Sequence, residues 1–260
     1  MTAGTAQLPP QPTFGVDQRL SVLVHAGAKV GKSTFSATAP GPMLVLDAEG
    51  SWRFIPLRKF YWDPMSGPPP QDDSTWDVCV VTVRTWEVVQ RTYVWLTQYI
   101  TPFVSVIIDS ITEIQRRCRE NLVGTDAMKM QDWGVLLARM DNVIRGFRDL
   151  TLYPQLNIRC VVFVAETRMI DGKYKPSMQG QIGVSLPYWV DICGYLMPFQ
   201  LPDGNGQSTV EARQLIIVPN PMYEAGERVQ GKLPPAILVP RPDPQRVGTT
   251  ITEMMTALYS

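Results

Sequence analysis

The run Ala26-Gly27-Ala28-Lys29-Val30-Gly31-Lys32-Ser33-Thr34 sets a lysine and two hydroxyls behind a glycine-bearing turn. It meets the pattern G-x-x-x-x-G-K-[ST] at every fixed position but the first, where Ala26 replaces glycine. Alanine is the smallest departure there, and Gly27 beside it keeps the turn pliable. A loop of this kind turns successive backbone N–H groups inward around a phosphate, with a helix N-terminus behind them. The pattern assigns Lys32 to the β- and γ-phosphates and the Ser33 hydroxyl to magnesium. ATP and Mg2+ are the ligands it predicts. A chance glycine turn would not need the apolar strand before it and the helix after it, and both are expected here.

Carboxylates at strand ends come next. Phe103-Val104-Ser105-Val106-Ile107-Ile108-Asp109-Ser110 reads as a buried strand with an aspartate at its C-terminal end, the end that faces the ligand in a parallel sheet. Asp109 is therefore the second expected magnesium group. The alternative is a helix N-cap, a task that Ser110 can take instead. Glu49 follows the strand Leu44-Val45-Leu46-Asp47 and reaches the same edge, where a carboxylate can orient the water that attacks the γ-phosphate. Spacing alone leaves Glu49 balanced between that base and a solvated loop residue. The residue after Asp109 is a serine, so a water-polarising acid must come from another strand.

The elements that must position these groups alternate. Strands are expected over Leu20–His25, Met43–Asp47, Val78–Val83, Phe103–Ile108 and Arg159–Ala165. Helices are expected from Lys32, over Thr85–Ile100 (Trp86, Val89, Tyr93 and Leu96 at helical spacing), up to about Leu122, and over Trp133–Leu150. Such alternation predicts an α/β fold: a mostly parallel sheet with helices on both faces. Beyond Trp189, strand-like runs over Val190–Met197, Val210–Val218 and Ala236–Val239 lie between Gly/Pro turns and predict an antiparallel C-terminal extension of the same sheet. The proline-rich stretch Tyr61–Asp77 is expected to be an exposed loop. Residues 1–18 are expected to form a flexible arm, 19–240 the core, and 241–260 a tail with a short helix.

The chain has 260 residues, 24 Lys+Arg and 24 Asp+Glu, hence a formal net charge of zero. A nucleic-acid surface would have to be a local patch. Four scattered cysteines and one histidine exclude a structural zinc site and predict a reduced, cytoplasmic protein. No apolar run is long enough to span a bilayer, and no membrane partner is expected. The lone His25 is expected to be a hydrogen-bonded packing residue. Most of the seven tryptophans are assigned to packing, with Trp52 a candidate for contact with the nucleotide or a neighbouring subunit.

Taken in order, these segments resemble bacterial RecA. Leu46-Asp47-Ala48-Glu49 is similar to the strand end that bears its catalytic glutamate, and Ile108-Asp109-Ser110 to its magnesium strand. Val162-Phe163-Val164-Ala165-Glu166-Thr167-Arg168-Met169 is similar to the strand whose terminal glutamine senses the γ-phosphate, with Glu166 in that place. Trp133-Gly134-Val135-Leu136-Leu137-Ala138-Arg139 resembles the helix after the first DNA loop. The match runs from about Leu20 to Val218, and its length points to the compact RecA-like ATPases of bacteriophages, which include single-strand-annealing proteins.

The resemblance implies a RecA-like P-loop core and an ATPase that oligomerises on single-stranded DNA in recombination. Its implied partners are single-stranded DNA, further copies of itself and a single-stranded-DNA-binding protein, in the cytoplasm of a host cell if the source is viral. It assigns catalysis to Glu49, Lys32 and Glu166. DNA loops are implied at about Arg119–Asp132 and Arg168–Leu186, with Arg119, Lys129, Arg168, Lys173 and Lys175 on the phosphates and Tyr174 stacking on a base. Acidic neighbours dilute that charge, and a solvated face is the rival explanation. Two departures stand out. The late strand that should give two trans-acting lysines reads Val218-Pro219-Asn220-Pro221, which leaves Arg228 or Lys232 to serve a neighbour's nucleotide, or to be ordinary surface charges. Glu166 in place of a glutamine would repel phosphate unless a cation or proton intervenes. The rivals from other classes are a P-loop small-molecule or nucleotide kinase and a nucleic-acid motor ATPase.

Overall fold

The computed structural model describes residues 12–202, 209–240 and 248–260. Eleven strands form one sheet whose main path runs β11-β9-β8-β1-β6-β5-β2-β4-β3. The strands on this path are β1 (Leu20–Ala26), β2 (Met43–Asp47), β3 (Lys59–Tyr61), β4 (Val78–Thr82), β5 (Ser105–Asp109), β6 (Cys160–Ile170), β8 (Ile192–Pro202), β9 (Thr209–Ile216) and β11 (Ala236–Val239). Two short strands lie off it: β7 (Lys173–Pro176) pairs β6, and β10 (Gly226–Glu227) pairs β8.

From β8 to β3 the path is parallel, and β9 and β11 add antiparallel pairs. The fold is thus α/β, with its antiparallel strands toward the C-terminus. β8, expected in the antiparallel part, pairs β1 in parallel.

Buried strands alternate their side chains between two cores, as a pleat of period two requires. Leu23, Leu44, Leu46, Val106 and Phe163 join one cluster with residues of α2 (Trp86–Gln98), α3 (Ile111–Val123), α4 (Met130–Asp149) and α5 (Ile182–Trp189). Val22, Val24, Met43, Val45 and Val162 join the other, with Phe35 of α1 (Lys32–Ser36) and Ile251, Met254 and Met255 of α6 (Ile251–Tyr259). Both faces being covered, the central strands read as unbroken apolar runs.

Register decides what meets at the sheet edge. Ala26 of β1 lies opposite Glu166 of β6, and Asp47 of β2 opposite Asp109 of β5. The C-terminal ends of four parallel strands therefore align on one edge.

Two expected loops are more ordered than their composition implies. Within Tyr61–Asp77, Trp62 and Trp76 are buried in the first core, and Trp95 Nε1 donates to the Pro64 carbonyl at 2.9 Å. Large apolar surface pulls this segment onto α2 despite its prolines. The expected polar loop Arg168–Leu186 is mostly hairpin and helix: β6 continues to Ile170, turns through Asp171-Gly172 into β7, and α5 begins at Ile182. Asp171 (φ 53°) and Gly172 (φ 75°) both have positive φ, as a two-residue type I′ turn requires.

All four cysteines are free and buried. Burial pushes the Cys118 thiol up to about 11 and the Cys160 thiol up to about 12, so neither forms a thiolate near neutrality. No helix among the described residues is long and apolar enough to cross a membrane.

Candidate functional site

The loop after β1 turns back through two positive-φ residues, Lys29 (φ 60°) and Gly31 (φ 107°), before α1 begins at Lys32. Among the described residues, the N–H groups of Lys29, Val30 and Gly31 make no hydrogen bond. A row of backbone donors without acceptors, at the end of a buried strand, is the form of an anion cradle. Lys32 Nζ folds over it and donates to the carbonyls of Ala26 (3.3 Å) and Gly27 (2.9 Å). Burial lowers the pKa of Lys32, and Glu49, Asp109 and Glu166 pull it back up. Those three carboxylates, from three different strand ends, are thus the charged neighbours of the loop lysine.

Asp109 is 1% exposed. Its Oδ2 accepts from the Trp52 indole Nε1 at 2.8 Å and from Ser51 Oγ at 3.4 Å, and Ser51 Oγ lies 3.1 Å from Ser33 Oγ. Burial nevertheless raises its pKa to about 6. A buried carboxylate with too few charges to balance it, joined through Ser51 to the hydroxyl of Ser33, fits a divalent cation. The adjoining Ser110 is the N-cap of α3, accepting from Glu113 N at 3.2 Å, which leaves the Asp109 carboxylate out of helix capping. The Asp109–Ser110 peptide is cis.

Trp52, a candidate for outside contact, is instead fully buried, and its one polar atom is spent on Asp109. Asp47 shapes the turn that carries it. Its Oδ1 accepts from Gly50 N (2.8 Å) and Ser51 N (3.2 Å), and its Oδ2 from Trp52 N (3.2 Å). Glu49 rides on that turn, exposed to solvent, with Ser110 Oγ donating to its Oε1.

Because the folded Asp109 has a raised pKa, its ionisation works against the fold as pH climbs from about 4 to 6. Asp109→Asn keeps an acceptor for Trp52 and removes that charge. Without metal, the variant should match wild type near pH 4 and exceed it by about 3 kcal/mol above pH 7. Urea unfolding at the two pH values measures the difference, and equal stability at pH 7 would mean that the charge is already balanced.

Glu166 ends its buried stretch of β6 beside a cation. Arg116 of α3 grips both its oxygens, Nη2 to Oε2 at 2.9 Å and Nη1 to Oε1 at 3.2 Å, while also holding Glu113 at 2.9 Å. The charge that a glutamate brings to this place is therefore met from within the chain. Arg116 also lines a cavity of about 280 Å³ with Arg119, Arg168, Gln115 and Gln179. Arg168 Nη2 donates to the Met178 carbonyl at 2.7 Å, whereas the Arg119 side chain makes no ion pair or hydrogen bond among the described residues.

The remaining expected cations disperse. Lys173 pairs with Glu224 at 3.2 Å and Lys175 with Asp171 at 3.9 Å, both on the hairpin, and Lys129 is the exposed N-cap of α4. Tyr174 belongs to a three-ring stack with Tyr195 (5.9 Å) and Tyr223 (6.0 Å). His25 bonds Thr167 Oγ1 at 2.7 Å and the Glu224 carbonyl at 2.6 Å, and burial lowers its pKa to about 4, so it is neutral near pH 7. Arg228 and Lys232 line a different cavity with Arg19 and Ser21, at the start of β1, the strand end opposite the loop. Each donates to a carbonyl, Arg228 to Tyr188 and Lys232 to Leu258.

Two groups near the site, Asp47 and Arg213, carry no signal of their own in the sequence. Asp47 acts through a turn whose hydrogen bonds only the fold reveals, and that turn gives Trp52 its buried place. Arg213 of β9 rests on the phosphate loop from 182 positions away (213 − 31) in the chain. No spacing in the sequence announces that contact.

No curated protein matches this chain. A solved structure, described as that of a prototypical ATPase from the type III secretion system of pathogenic bacteria, aligns at 12% identity and a TM-score of 0.45. The alignment covers 68% of this chain and 52% of the other, so this chain spans about half the length of that protein. A family model described as an AAA domain matches residues 18–229, from just before β1 to just past β10, and the chain belongs to that family of P-loop NTPases.

Proposed function

We propose that this protein is a RecA-like ATPase that assembles with copies of itself on single-stranded DNA and promotes annealing or strand exchange, in the manner of the compact bacteriophage ATPases it resembles. The observation that carries this is the Arg116–Glu166 pair. It joins the nucleotide edge of the sheet to a cavity lined by three arginines.

In this reading the loop N–H groups and Lys32 bind the phosphates of ATP, and Ser33 and Asp109 hold magnesium. Magnesium, when bound, offsets the charge on the β- and γ-phosphate oxygens. Glu49, exposed at the same edge and fixed by Ser110, orients and deprotonates water. Glu166 stands where a γ-phosphate would be sensed. A phosphate there competes with Glu166 for Arg116, which ties occupancy of the nucleotide site to the arginine cavity. Arg228 and Lys232 lie at the end of β1 away from the loop, which leaves them only a neighbour's nucleotide to serve. A kinase would need an acceptor pocket beside the loop, whereas the cation-lined cavity here abuts Glu166 and α3.

DNA is the finer part of the proposal and has its own test. Arg119 has no protein partner for its guanidinium among the described residues, while Lys173 is already neutralised by Glu224. Arg119→Ala should weaken binding of a labelled single-stranded oligonucleotide irrespective of sequence and flatten the log–log salt slope by about 0.7. Lys173→Ala should do less on both counts. Titrations at several salt concentrations measure this, and an unchanged slope for Arg119→Ala would move the DNA surface off this cavity.

A further inference from the structure

The geometry points to Arg213 as a nucleotide-binding residue supplied by the same chain, one that grips the α- and β-phosphates rather than the γ-phosphate. This deepens the ATP-site proposal and rests on it.

A Cβ built on Gly31 would stand 2.3 Å from Nη1 and 2.9 Å from Cζ of Arg213. The guanidinium thus occupies the space in front of the glycine that precedes Lys32. The φ of 107° favours glycine there, and the missing side chain leaves the space that the guanidinium fills. β9 holds the arginine in place by pairing on both sides, Arg213 lying opposite Pro198 of β8 and Val239 of β11. The side chain is half-buried, yet among the described residues it makes no ion pair and no hydrogen bond.

The Arg213 guanidinium, unpaired among the described residues and still in contact with solvent beside the loop, is open to a ligand. It lies against Gly31, whose N–H, like those of Lys29 and Val30, makes no hydrogen bond among the described residues. Unbonded backbone donors with a guanidinium beside them suit an anion with several oxygens, and the planar fork of arginine matches a phosphate group. Position selects which phosphate. The backbone of such a loop cradles the α- and β-phosphates, while the lysine after it reaches on to the β and γ. Arg213 sits on the backbone side. Glu49 and Glu166 instead surround the lysine. The antiparallel extension therefore completes the nucleotide site.

ADP and ATP affinities, measured by titration with magnesium present, test this on the full chain. Arg213→Gln keeps much of the stem and removes the charge. It should weaken ADP and ATP alike, each by about 10- to 100-fold, the range for a hydrogen bond to a charged group. Arg213→Lys should recover part of the loss, and it carries the same test with a smaller effect if thermal melts show Arg213→Gln to be unfolded. Loss of ATP affinity alone would place the contact on the γ-phosphate and overturn the assignment. Unchanged affinity for both nucleotides in a folded variant would remove Arg213 from the site while leaving the ATP site intact. A wild-type chain that binds neither nucleotide would overturn the ATP site itself, and Arg213 with it.

Discussion

Replacing Lys32 by alanine is expected to leave a folded chain whose ATP turnover falls by about 10³-fold or more, the loss that follows removal of a principal charge-stabilising donor. Lys32 is half-buried at the start of a five-residue helix, with its ammonium bonded, among the described residues, to the carbonyls of Ala26 and Gly27 alone. Nothing in either core depends on it: Phe35 anchors α1, and β1 is held by β6 and β8. The mutation therefore removes the cation that three carboxylates surround without removing packing. Their mutual repulsion should then make the site poorer still for a phosphate. A thermal melt close to wild type, together with lost phosphate release, is the expected pair of results. Turnover near wild type in a folded variant would contradict it.

Glu49→Gln should act differently. Glutamine keeps the size of the side chain and can still accept from Ser110, so the turn built on Asp47 stays closed. The carboxylate charge is lost, and with it any base for the attacking water. ATP should bind as tightly as before or more tightly, since one negative charge leaves the neighbourhood of the phosphates. Hydrolysis should fall by roughly 10²-fold or more. Binding titrations beside single-turnover hydrolysis separate the two quantities. If hydrolysis persists at the wild-type rate, the base is another group, and Glu49 is a solvated carboxylate on a turn.

Much of this edge was legible in the sequence because its signals are local. The loop from Ala26 to Thr34 is contiguous, and β2 and β5 are short apolar runs that stop at an acid. The parallel sheet followed from alternating periodicities. What stayed hidden depends on contacts between distant segments. Trp52, just past Glu49, reads as a candidate for contact with the nucleotide or a neighbouring subunit, yet the turn made by Asp47 swings it into the core beneath Asp109. The β6–β7 hairpin was hidden by its polar composition, although Asp171-Gly172 between Met169-Ile170 and Lys173-Tyr174 is a type I′ signal that could have been read. Nothing in the local sequence sets Arg116 apart from the basic residues around it. Its partner Glu166 is 50 positions away, and only the packing of α3 against β6 joins them. Arg213 was hidden for the same reason on a larger scale, on a strand whose neighbours the sequence does not specify.

The most direct measurement is phosphate release from ATP by the full chain, with magnesium, with a chelator in its place, and with added single-stranded oligonucleotide. The expected result is release that requires magnesium, disappears in Lys32→Ala, and rises when the oligonucleotide is present. A folded wild-type chain that releases no phosphate under any of these conditions, or a Lys32→Ala chain that releases it as fast as wild type, would contradict the assignment of this loop as an ATP-hydrolysing site.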